Sequence, residues 1–350
     1  MLYSVQAYRG IAVLLVALFH GTIRVEKEYG LAPLNDVFSM GFSGVHLFFV
    51  LSGFIILTAH IKDVGAPTRL WWYLKRRFIR IYPIYWIVLL VLGGSKLLLV
   101  KGDIEEFVLN ALFFTANGRL VITVSWTLLY EIIFYAMFAI LVVNRRIGTA
   151  VMVAWLLGIL LSWEGSAHHM LHPFNLLFII GLLAAASFFR LRSVNPTSRG
   201  AISAASFATG VILFVGTAVY YSSLGVDDAA WPDHPVTILG FGLATALLVM
   251  ASISPRIEAF FRERELLLLM GNASYSIYLV HLWAEKTAYK LVKAIDPGLA
   301  AGTGQNPFVS DLLLLFIVIV AILCGIAVHL KIERPLLAYL REKMGATRPG

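Results

Sequence analysis

An all-α, polytopic membrane bundle of about ten transmembrane helices, with both termini cytoplasmic, is the fold that the sequence predicts. Three observations carry that expectation. Hydrophobic residues make up 59% of the 350 and charged residues only 14%, against about 25% charged in soluble domains. About ten apolar segments have the length needed to span a bilayer. The basic residues also collect in alternate connections, as the positive-inside rule requires.

Taken in order, the expected spans are 7–24, 44–60, 78–100, 126–143, 149–163, 173–189, 201–221, 235–252, 267–284 and 311–331. Between the third and fourth lies Ile104–Thr115, which reads as an interfacial or re-entrant helix. Counting it as a span would reverse every later crossing. With ten spans and a cytoplasmic N-terminus, 20 of the 28 basic residues fall inside. The outer connections are acidic by comparison, as in Gly225–Asp233. No basic region and cleavage site precede the first helix, so it reads as retained. No repeat or long loop appears, and residues 1–350 read as one integral-membrane domain without an appended soluble domain.

The net charge of +8 is explained by the inner loops, and nucleic acid is not an expected partner. The sole cysteine, Cys324, excludes an intramolecular disulfide framework and a cysteine zinc site. No metal set and no tightly bound cofactor are expected.

The chemistry centres on the first helix, where Arg9 and His20 are eleven residues apart. That is about three turns, so both side chains share one face about 16 Å apart along the axis. Ionisable groups within a bilayer are costly and usually functional. A long substrate, charged at one end and reactive at the other, fits this spacing. His46 on the second helix, Glu131 on the fourth and His281 on the ninth are expected in the same outer depth band as His20. For His46 and His281 an interfacial position is the plain alternative. Glu131 either clamps two helices or supports an imidazole by fixing its tautomer.

A second cluster, Lys75-Arg-Arg-Phe-Ile-Arg80-Ile-Tyr-Pro-Ile-Tyr-Trp86, lies on the cytoplasmic side. Plain positive-inside charge accounts for part of it. Arg76 and Arg80 share a face if the helix begins early, and arginine forks suit phosphate. With Arg77, Tyr82 and Trp86, and with Arg9, they form a candidate grip for a nucleotide; an interfacial aromatic belt is the alternative for Tyr82 and Trp86.

These residues carry a family resemblance across nearly the whole chain. The motifs are Arg9-x10-His20, Gly41-x-x-Gly-Val-x-Leu-Phe-Phe-Val-Leu-Ser-Gly-Phe54, Arg76-Arg-x-x-Arg-Ile-Tyr-Pro-x-Tyr-Trp86, Trp126-Thr-Leu-x-Tyr-Glu131, Ser274-Tyr-Ser-Ile-Tyr-Leu-x-His281 and Glu333-Arg-Pro-Leu336. In this order they resemble the membrane-bound acyltransferase-3 family, whose members O-acylate sugars and other extracytoplasmic targets. The resemblance implies a cytoplasmic acyl-CoA donor, with Arg9 and His20 essential. Many relatives carry an acidic residue at the position of His46, so a role carried over to His46 is open.

The expected reaction is transfer of an acyl group, acetyl by default, from acetyl-CoA to a sugar hydroxyl, with His20 as general base and Glu131 orienting it. Donor contacts are Arg9, Arg76, Arg77, Arg80, Tyr82 and Trp86. His46, Trp126, Tyr130, Ser274, Tyr275 and His281 are candidates for acceptor contacts or oxyanion donors. Trp163, Asp227, Asp228 and Trp231 are further candidates for sugar contacts. The compact form, similar to exopolysaccharide O-acetyltransferases, favours a lipid-linked or polymeric sugar at the bacterial inner membrane. A covalent acyl-histidine, a different acceptor within the family, and a proton-coupled transporter are the alternatives. A homo-oligomer stays open.

Overall fold

The computed structural model describes residues 2–99, 104–114, 120–163, 168–223, 234–300 and 306–344. Asp227, Asp228 and Trp231 lie outside the described residues. Among those described, every regular element is a helix. They are α1 (Tyr3–Tyr29), α2 (Ser43–His60), α3 (Leu70–Leu99), α4 (Ile104–Ala111), α5 (Trp126–Val143), α6 (Arg145–Leu161), α7 (Phe174–Leu191), α8 (Pro196–Ser223), α9 (Pro235–Ala251), α10 (Pro255–Arg262), α11 (Glu265–Ile295), α12 (Pro297–Ala300), α13 (Pro307–Val328) and α14 (Arg334–Lys343).

Among the described residues, eight helical stretches are long and apolar enough to cross a membrane, and α9 with α10, bent by 97°, makes a ninth. The remaining expected span, 149–163, is α6. Its 17 residues reach about 25 Å, at the short end of the range for a crossing. The chain is therefore a multi-pass helical membrane protein. The boundary shifts that bear on the site are those of α3, which starts at Leu70, and α11, which runs on to Ile295. The longer α3 puts Arg76 and Arg80 in one helix, one turn apart.

The ambiguous stretch after α3 resolves against a crossing. α4 has 8 residues, about 12 Å of helix, too short to span. It is tied to α3 at its C-terminal end. The Tyr85 hydroxyl donates to the Asn110 carbonyl at 2.7 Å and the Trp86 indole N–H to the Ala111 carbonyl at 2.9 Å. An independent check comes from helix direction. Gln6 meets Asn272, Arg9 meets Ser274 and His20 meets His281, so α1 and α11 run parallel. As first and ninth spans they should; had α4 been a crossing, α11 would be the tenth and run opposite.

The chain divides into two compact units, Met1–Ile55 with Leu177–Ala327, and Ile56–Leu176 with Val328–Gly350. In the first, α1 and α11 lie close because glycines face carbonyls. A Cβ on Gly10 would sit 2.5 Å from the Leu267 carbonyl oxygen, and one on Gly271 would clash with the Gln6 carbonyl. Small residues are what let membrane helices approach so closely. α1 then ends where Gly30 adopts φ 89° and returns its N–H to the Glu26 carbonyl, the left-handed stop that glycine tolerates best. An apolar cluster of Ala17, Leu18, Val25, Tyr29, Ala288, Tyr289, Leu314 and Ile317 fills the space between α1, α11 and α13.

In the second unit, α3 and α14 pack through Ile79 and Leu337. α6 starts cleanly because the Asn144 side chain accepts the backbone N–H groups of Arg146 and Ile147 at 2.9 and 3.1 Å, a standard N-cap. A π-helical turn, His329–Glu333, joins α13 to α14.

Candidate active site

The parallel register of α1 and α11 decides which side chains meet. Arg9 donates to the Ser274 hydroxyl at 2.8 Å and to the Gln6 side-chain oxygen at 3.4 Å, while Gln6 donates to Asn272 at 2.7 Å. This polar knot marks the N-terminal part of the pair. Three turns further on, the imidazoles of His20 and His281 lie with ring centroids 5.2 Å apart. Ser274 therefore stands at Arg9's end and serves to hold the guanidinium, about 10 Å along α11 from His281.

His281 is fully buried, and its Nδ1 lies 2.7 Å from the Tyr278 carbonyl oxygen. A carbonyl accepts only, so Nδ1 carries the ring proton and Nε2 is left with a lone pair. That Nε2 and the buried Nδ1 of His20 both lack a hydrogen-bond partner among the described residues. So do Arg24 Nε and both carboxylate oxygens of the fully buried Glu285. Leaving one such group unpaired costs about 1–3 kcal/mol, and natural structures keep them few. Their concentration around two facing rings marks this place in the first unit.

A cavity of about 410 Å³ opens beside His20, lined by His20, Ile23, Arg24, Lys27, Glu28, Leu282 and Lys286. Arg24 and Glu285 were not singled out from the sequence. Each sits one turn beyond a histidine that was: Arg24 follows His20 at i+4 and Glu285 follows His281 at i+4. That spacing was the available signal. It was missed because the charges of Glu285 and Lys286 made the ninth span look finished at residue 284, whereas α11 continues to Ile295. The Arg24 guanidinium acts electrostatically on both His20 and Glu285.

His46, also fully buried, packs edge-on against Phe42 at 5.7 Å and near Phe241 at 5.6 Å. Phe19 connects this aromatic group with His20, at 5.9 Å from Phe42 and 5.1 Å from the imidazole. Tyr275 is buried on α11.

Glu131 belongs to the second unit, where its carboxylate accepts the Tyr135 hydroxyl one turn along α5. Tyr135 is covered in turn by the Arg77 guanidinium, 5.5 Å from its ring centre. Arg77 also reaches His60 Nε2 at 3.3 Å, and His60 Nδ1 pairs with Asp63 at 2.7 Å. Arg80 donates to Glu333 at 2.9 Å, and the other oxygen of that fully buried carboxylate meets His329 at 2.7 Å. Arg76 stacks on Trp72 with its guanidinium carbon 4.6 Å from the ring centre.

These contacts give Arg77 and Arg80 partners inside their own unit, which the sequence expectation of a phosphate grip did not include. Tyr82 and Trp86 form a ladder with Phe78 and Phe113. Trp126 packs on Tyr130 and Phe174, and the Tyr130 hydroxyl lies 3.1 Å from His169 Nδ1. Trp163 is half-buried. No group of three or more metal-ligating side chains occurs among the described residues.

A family model described as an acyltransferase domain, acyltransferase-3, matches residues 2–330. The exopolysaccharide production protein ExoZ of Rhizobium meliloti (strain 1021) is 30% identical over 321 residues, covering 86% of this chain and 90% of that protein. Protein 2 in the picA locus of Rhizobium radiobacter is 29% identical over 156 residues, covering 37% of this chain and 77% of that protein. No solved structure matches the chain. The chain thus belongs to the membrane-bound acyltransferase-3 family.

Proposed function

We propose that this membrane acyltransferase moves an acyl group, acetyl in the first instance, from cytoplasmic acyl-CoA to a hydroxyl of an extracytoplasmic or lipid-linked sugar, an exopolysaccharide repeat. The observation that carries the reading is the pairing of His20 with His281 at the edge of a cavity, three turns from Arg9 on the same helix. The name of the Rhizobium meliloti relative supports the polysaccharide acceptor. The excess of basic residues in alternate connections supports an inner-membrane orientation with Arg9 on the cytoplasmic side.

In this reading Arg9, held by Ser274 and Gln6, binds the donor's phosphates, and the pantetheine arm runs along α1 toward His20. One ring nitrogen of His20 takes the proton of the acceptor hydroxyl as its oxygen attacks the thioester carbonyl. The tetrahedral intermediate collapses, the carbon–sulfur bond breaks, and the proton passes from His20 to the departing thiolate. The products are an O-acyl sugar and free CoA. His281 packs its ring beside that of His20, centroids 5.2 Å apart, and so limits the orientations open to the base.

The test is release of free CoA from acetyl-CoA by the purified chain in nanodiscs, joined to mass spectrometry of surface glycans from cells with and without the protein. Acetyl groups lost from the glycans, and CoA released only with acceptor present, are the expected results. An unchanged glycan pattern removes the polysaccharide reading. Arg9→Gln should raise the KM for acetyl-CoA at least tenfold with kcat within about threefold, because a lost charge-assisted hydrogen bond contributes about 1.5–3 kcal/mol. An unaltered KM would take Arg9 out of the donor site.

A further inference from the structure

The cavity beside His20 carries more positive charge than its surroundings call for. Arg24, Lys27 and Lys286 line it, with Glu28 as the one acidic lining residue. Glu285 is fully buried, and its carboxylate has no hydrogen-bond partner among the described residues. On the membrane face toward which α1 runs past His20, the charge pattern predicts few cations. Three of the eight basic residues assigned to that side nevertheless converge here.

Simple helix-end effects do not account for them. Lys27 sits in the last turn of α1, where a cation complements the helix dipole. Lys286 lies nine residues before the end of α11, beyond the reach of that effect. Arg24 is half-buried with Nε enclosed, so it is not a side chain merely stretching to water. Two exposed ammonium groups and one half-buried guanidinium around one opening make a binding surface for anionic oxygens, with the arginine fork giving direction and the lysines charge.

We infer that this cavity is an anion subsite for the acceptor, so that the sugar presented to His20 carries a negative group within reach of Arg24, Lys27 and Lys286. The inference rests on the acyl-transfer reading for the identity of the ligand as acceptor. Its anionic group is either the diphosphate of a lipid carrier or a carboxylate on the sugar itself. The position of the cations one to two turns beyond His20 would hold such a group about 6–10 Å past the reacting hydroxyl.

The test is equilibrium binding to the full chain in phosphatidylcholine nanodiscs, without donor, so that failure of catalysis leaves the measurement intact. Three probes are compared: a short-chain prenyl-diphosphate glucose, methyl glucuronoside and neutral methyl glucoside. At least one anionic probe should bind tenfold or more tightly than the neutral one, and the stronger of the two identifies the source of the charge. Lys27→Gln/Lys286→Gln should remove that preference, leave weak binding of the neutral glycoside unaltered, and elute as a monodisperse protein. Equal binding of all three, no anion binding up to millimolar concentration, or a preference untouched by the double substitution would overturn the inference. So would phosphatidylglycerol in the nanodisc replacing the anionic probes at equal affinity, since the cavity would then be a lipid headgroup site.

Discussion

His20→Ala should leave a folded chain that binds acyl-CoA and transfers acyl groups about 10²–10⁴-fold more slowly. The size follows from what the substitution removes. A positioned imidazole takes the hydroxyl proton in the transition state, and nothing beside it can replace that function: His281 is fully buried with Nδ1 committed to the Tyr278 carbonyl. The ring of His20 is half-buried at a cavity edge, so truncation enlarges an existing space instead of creating a closed void. Melting temperature and size-exclusion profile should therefore stay close to those of the parent, and the effect should appear in kcat. Transfer by His20→Ala within a few-fold of the parent would remove the general-base assignment.

Arg80→Ala should act through stability instead. Its guanidinium is bound to one oxygen of Glu333, a fully buried carboxylate whose other oxygen meets His329. Removing one partner of a buried ion pair costs about 3–5 kcal/mol, because the remaining charge is left uncompensated. Arg80 is itself 28% exposed and His329 can still hold the carboxylate, so about 3 kcal/mol is expected. Arg76→Ala removes a stacking contact on Trp72 and should cost about 1 kcal/mol or less. Thermal unfolding in detergent distinguishes the two. An Arg80→Ala chain as stable as the parent, with only a raised KM for acyl-CoA, would return Arg80 to the donor site.

The helices were readable because apolar length signals a crossing without any tertiary information. The Arg9–His20 pair was readable because both residues lie on one helix, where spacing alone sets face and distance. The parallel partner was not: that α11 brings His281 to His20 and Ser274 to Arg9 depends on Gly10 and Gly271 meeting carbonyls across the interface. Such complementarity exists only between two segments, and no single-segment pattern carries it. Glu285 and Arg24 fell outside for a related reason, since charges at a span's end depress hydropathy and hide the helix that continues beneath them. Arg77 and Arg80 show the opposite limit. A run of arginines reads as a phosphate grip until Tyr135, His60 and Glu333, distant in sequence, are seen to occupy them.

The account stands on a donor stretched along α1 between Arg9 and His20. Cryo-electron microscopy of the full chain with a non-hydrolysable thioether analogue of acetyl-CoA examines that directly. The predicted map has the analogue's phosphates against Arg9 and its acyl end beside His20, at the cavity that Arg24 and Lys286 line. Analogue density with its acyl end away from His20, or with phosphates bound where Arg9 does not reach, would contradict it.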